Sequence, residues 1–126
     1  MRERIIGVVL VGLVVASLLG TPAGAATRVQ RKGSCTLDPG HWVLTVQKAT
    51  VAGKLSVRFV VQGTVPMQSW QVAISDNNIG LPGANLGSGK KGIFTFSRTI
   101  LNRPGGDHIV VFASSGPSFC TGSVTY

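Results

Sequence analysis

Seven side chains set the chemistry open to this chain beyond its first few residues. They are the thiols of Cys35 and Cys120, the imidazoles of His41 and His108, and the carboxyls of Asp38, Asp76 and Asp107. The thiols, 85 positions apart, read as a structural disulfide; a redox pair would want close C-x-x-C spacing, which is absent. Hydrolysis by paired carboxylates needs two acids a few ångströms apart, one with a raised pKa. Asp38 precedes Pro39-Gly40, Asp76 precedes Asn77-Asn78 and Asp107 opens a strand pattern, so all three read as turn residues. A Ser-His-Asp set built on His108 and Asp107 fails because strand neighbours point to opposite faces, and Gly-x-Ser-x-Gly is missing. With the thiols paired, the histidines and aspartates match no metal-ligand spacing. The chain is therefore expected to lack catalysis, metal and cofactor. An enzyme would need two of His41, His108 and the aspartates to meet in one cleft.

The elements that would hold these residues begin after an export segment. Arg2 and Arg4 precede an apolar run from Ile5 to Leu19, and Ala23-Gly24-Ala25 supplies the small residues a signal peptidase accepts. The run is shorter than the ~20 residues of a bilayer span. Residues 1–25 are read as a cleaved secretory signal and the protein as extracellular, with no membrane span after cleavage. Their removal from 126 residues leaves 101, one small domain. Export to an oxidising compartment is what lets the cysteines pair. Residues 26–34, with Arg28, Arg31 and Lys32, read as a flexible basic arm, and 35–126 as the domain.

From Trp42 onward the apolar residues recur at every second position. Trp42, Leu44 and Val46 form one such face; Leu55, Val57, Phe59 and Val61 form the clearest. Trp70, Val72 and Ile74 follow, then Phe94, Phe96 and Ile100, then Ile109, Val111 and Ala113, and finally Cys120, Gly122 and Val124. Arg98 falls on the apolar face of its strand, which implies either a strand end from which it snorkels or a bulge that resets the register. Residues 80–92, rich in glycine, read as a loop, with a short edge strand around 78–81. The expected fold is all-β: one two-sheet antiparallel sandwich of about seven strands.

Ser34-Cys35, Trp42-Val43-Leu44, Trp70-Gln71-Val72, the Asn102–Asp107 turn and Cys120-Thr121-Gly122 resemble the layout of small exported immunoglobulin-like β-sandwich proteins of high-GC Gram-positive bacteria. The resemblance implies the fold and brings no activity with it. It departs from antibody-type domains, whose disulfide joins the second and sixth strands. Here those positions are apolar, so the Cys35–Cys120 bond is expected to clamp an edge or end.

Charge points to the partner. The chain carries +8, and loss of Arg2, Glu3 and Arg4 with the signal leaves +7 with three aspartates as the only side-chain acids. Such a protein is drawn to anionic wall or extracellular polymers. The expected contacts are Lys90 and Lys91 on the glycine-rich stretch, with Arg58, Arg98 and Trp42. Specific nucleic-acid binding is not expected, because the cations are scattered and the aromatics face the core. The leading expectation is a monomeric secreted binding or structural module at the cell surface or in the medium. A secreted inhibitor or small-ligand carrier is the alternative, and a carbohydrate binder using Trp42 is less favoured.

Overall fold

A computed structural model describes residues 28–126; the expected signal segment lies outside them. The described chain is eight strands without a helix: β1 (Arg28–Ser34), β2 (His41–Lys48), β3 (Lys54–Gln62), β4 (Ser69–Asp76), β5 (Ile79–Gly87), β6 (Phe94–Leu101), β7 (His108–Ser115) and β8 (Ser118–Thr125). They form two four-stranded antiparallel sheets, ordered β1-β2-β3-β6 and β5-β4-β7-β8. The chain changes sheet from β3 to β4, from β5 to β6 and from β6 to β7, which gives the Greek-key wiring of an immunoglobulin-like sandwich.

The alternation seen in the sequence is the core. Leu44, Val46, Leu55, Val57, Phe59 and Val61 from the first sheet meet Trp70, Val72, Ile74, Ile109, Val111 and Val124 from the second, all buried. Full burial of a large apolar side chain is worth about 1.5–3 kcal/mol. A one-residue slip would turn a whole row outward, so the core holds the register.

Two segments differ from expectation. Residues 28–34 are a strand, not a flexible arm, and bring the total to eight. β1 pairs with β2 from Arg28↔Gln47 to Ser34↔His41. Val29 is the one apolar side chain of this strand that packs against the core, and Gly33 lies under the Trp42 ring; backbone hydrogen bonds to the free edge of β2 do the rest. The edge strand expected around 78–81 is present but runs on through the expected loop as β5 to Gly87, and an anchored turn follows it. Asn77 and Asn78 both take positive φ (51° and 67°), which makes the two-residue hairpin turn that returns β4 as β5. Ser88 then ties the following turn down: its buried hydroxyl donates to Val65 O at 2.9 Å and accepts from Gln68 N at 2.9 Å.

The disulfide closes the β1–β8 seam. Cys35 follows β1, Cys120 lies on β8, and their Cα atoms are 4.3 Å apart. Beside it Thr36 N donates to Phe119 O at 2.7 Å and Phe119 N returns the bond to Thr36 O at 3.1 Å. The clasp is on an edge, as the sequence implies.

Candidate functional site: a cationic sheet face

The strands sort charge by sheet. Among the described residues, every lysine and arginine that lies on a strand (Arg28, Arg31, Lys32, Lys48, Lys54, Arg58 and Arg98) belongs to the first sheet; the strands of the second have none. No strand of the first sheet carries an acid. Antiparallel register aligns the outward residues into rows: Arg28, Gln47 and Ser56 in one, Gln30, Thr45 and Arg58 in the next, Lys32, Val43 and Val60 in the third. Between the first two rows runs a groove of about 250 Å³ lined by Arg28, Thr45, Gln47, Ser56 and Arg58. Beside it Gln30 Nε2 donates to Thr45 Oγ1 at 3.0 Å. Two guanidiniums flanking hydroxyls and an amide offer an anionic group charge-assisted hydrogen bonds and neutral donors together.

The five residues expected to form a contact surface do not converge. Arg58 is exposed on this face. Lys90 and Lys91 sit on the turn at one end of the sandwich, where Met67 N donates to Gly89 O and Thr64 N to Gly92 O. Trp42 is a correction: it is 9% exposed, packs 5.7 Å from Phe59, and its ring lies over Gly33 and Gly122. It is a core residue and offers no platform for a sugar.

Arg98 snorkels, but from the middle of its strand, and no bulge interrupts the β3–β6 register. β6 is an edge strand, so the side chain leaves sideways between the sheets. Its guanidinium passes 4.7 Å from the Phe96 ring centre and donates to Pro82 O at 3.0 Å and to Gly83 O. Those carbonyls belong to β5, so Arg98 bridges the open edges of the two sheets. Arg28, by contrast, joins the face although the sequence placed it on an arm. The missed signal is the polar alternation of Arg28, Gln30 and Lys32 opposite Gln47, Thr45 and Val43.

His41 and His108 open strands at opposite ends of the sandwich. His41 lies beside Ser34 near the disulfide, its Nδ1 3.4 Å from Ser34 Oγ; His108 pairs with Thr125 at the far end of β8. Asp76 and Asp107 share the far end and are both buried. Arg103 covers them: its Nε is 3.5 Å from Asp76 Oδ2, and its backbone N donates to Asp107 Oδ1 at 3.1 Å. Each acid keeps one buried oxygen with no donor. Asp76 also lines a cleft of about 270 Å³ at the β5–β6 edge with Leu81, Pro82, Ile100 and the cations Lys54, Arg98 and Arg103. Among the described residues no three potential metal ligands gather.

Burial pushes the Asp76 carboxyl from 3.8 up to about 6, with Asp107 adding to the rise and Arg103 and His108 pulling back by less. Between those two values the folded chain holds a proton that the unfolded chain has released. Stability therefore falls as pH rises through this window, by about 3 kcal/mol in all. Asp76→Asn keeps the shape and removes the charge. Melting curves at pH 4.5 and 7.5 should show the native protein losing stability at the higher pH. The variant should be nearly level between the two, and roughly 10 °C more stable than the native chain at pH 7.5. A native chain that melts higher at pH 7.5 would contradict this.

No helix among the described residues is long and apolar enough to cross a membrane. Comparison with protein-family models, with curated proteins and with solved structures finds no match for this chain.

Proposed function

We propose that this is a secreted, non-catalytic binding module that attaches to anionic extracellular polymers through the outer face of its first sheet. One observation carries the reading: strand cations lie on that sheet alone, with no acid among them. Charge spread only for solubility would have no reason to choose a sheet. On the outer face Arg28, Arg58 and Lys32 stand one to each of three successive rows, so a repeating polyanion can meet several of them together. The disulfide and the exposed basic surface suit an oxidising compartment outside the cell. The immunoglobulin-like sandwich supplies a rigid sheet, so side chains on that face bind with little ordering cost.

Elution from immobilised heparin tests it. Arg28→Gln/Arg58→Gln and Lys90→Gln/Lys91→Gln each remove two charges. The arginine variant should elute at clearly lower salt, and the slope of log affinity against log salt should fall by about two contacts. The lysine variant should stay close to the native protein. Equal losses in both would mean that net charge alone acts and the face does not exist as a site.

A further inference from the structure

The other sheet presents the opposite chemistry, and we infer that its outer face binds an uncharged glycan, with the Phe112 ring as the platform. A domain of +7 would be expected to spread charge over both faces. Yet β4, β5, β7 and β8 contribute no lysine or arginine, and their one acid, Asp76, is buried. In its place Phe112 is 42% exposed and stacks on Phe119, ring centres 5.7 Å apart and planes 22° from parallel. The stacking holds the ring in one orientation before any ligand arrives.

Register sets polar side chains beside it. Asn85 lies opposite Gln71, and Gln71 opposite Ser114, so these three form a row across the sheet. The next row places Ala73 opposite Phe112. The small Ala73 leaves a shallow groove of about 580 Å³ between the Phe112 ring and β5. On the β5 side the wall is bare backbone at Gly83, where an added Cβ would come within 2.1 Å of Val72 O. The register shift between Val72 and Ile74 creates this close approach.

A sugar ring has an apolar C–H face and a rim of hydroxyls. An exposed aromatic ring suits the face, and side-chain amides, which both donate and accept, suit the rim. A charged polymer would find no counter-charge lining the groove, and Arg98, the cation at the β5 edge, is committed to the Pro82 and Gly83 carbonyls. A purely apolar partner would strip water from Asn85, Gln71 and Ser114 without replacing their hydrogen bonds. Neutral face and neutral ligand are complementary in charge, and this site is independent of the cationic face.

The test is co-sedimentation with insoluble cellulose, chitin, amylose and β-1,3-glucan in 0.5 M NaCl, which suppresses polyanion binding. At least one should retain the native protein. Phe112→Ala should lower that retention by roughly tenfold, and Gln71→Ala should lower it too. Arg28→Gln/Arg58→Gln should bind as the native chain does, which separates this inference from the proposed function. Gln71→Ala should melt like the native protein, and Phe112→Ala, which gives up its stacking on Phe119, should melt a few degrees lower while staying folded at the assay temperature. No retention on any of the four polymers, or equal retention by Phe112→Ala, would overturn the inference. So would sedimentation velocity showing a dimer that Phe112→Ala dissociates, which would give the face to a second copy of the chain.

Discussion

Cys35→Ser/Cys120→Ser is expected to lose about 4–5 kcal/mol of stability, the loop-closure value for a cross-link 85 residues apart. That is a large share of the 5–15 kcal/mol that holds most small domains together. The melting temperature should drop by roughly 20 °C or more. The loss is concentrated at one place. β1 has a single partly buried apolar residue, Val29, against the core. Without the clasp it is held by its ladder with β2 and the Thr36–Phe119 bridge. Hydrogen exchange on the reduced or serine protein should therefore show β1 amides opening before those of β3 or β7. Arg28 and Lys32 leave the cationic face with β1, so affinity for heparin should fall as well. A serine protein that keeps its melting temperature would mean that the non-covalent seam suffices. Comparing native and dithiothreitol-treated protein by calorimetry gives the same answer without mutation.

Trp42→Ala is expected to cost about 3–5 kcal/mol, the range for removing a large buried aromatic. The upper end is favoured by what surrounds it. The indole covers the backbones of Gly33 on β1 and Gly122 on β8, where an added Cβ would come within 2.5 and 2.7 Å of the ring. Neither glycine has a side chain that could swing into the vacated space, so the cavity persists. Gly122→Ala should be destabilising from the other direction, by about 1–3 kcal/mol, because it overfills the same contact. Urea unfolding measures both. A cycle combining Trp42→Ala with the serine pair should be non-additive, since indole and disulfide secure one seam. Additive losses would show that the two act on separate parts of the sandwich.

Together the two faces describe a module with one charged and one neutral surface, separated by the thickness of the core. Arg98 and Arg103 take no part in either face. Each is committed to internal contacts, Arg98 to the carbonyls of Pro82 and Gly83 and Arg103 to the buried Asp76 and Asp107. Counting cations in the sequence overstates what is free to bind a polymer.

How far the molecule could be read from its residues depended on whether each residue's role was set by burial. Strands β2, β3, β4, β6, β7 and β8 were legible because each turns a row of apolar side chains inward, and that demand writes itself into alternate positions. The disulfide was legible from two thiols at the ends of the domain. β1 and β5 left fainter marks. Both are edge strands, as β6 and β8 are, but unlike those two they bring no fully buried side chain to the core. Polar β1 and the glycine-rich β5 exist because the edges of β2 and β4 need hydrogen-bond partners, and that requirement lies in the partner's sequence. The Asn77-Asn78 turn was the one local hint of β5, as asparagine tolerates positive φ.

By itself, then, the sequence determined the all-β class, the buried rows, the covalent clasp and the basic charge. These follow from the period of apolar residues and from composition, which no arrangement of strands can alter. Only the tertiary structure decided which sheet each strand joined. That choice gathered the strand cations on one sheet, left Phe112 on the outer face of the other, sank Trp42 into the seam and buried Asp76 against Asp107. The physical reason is that sheet membership is settled by packing and backbone pairing between segments far apart in the chain, which local periodicity does not encode.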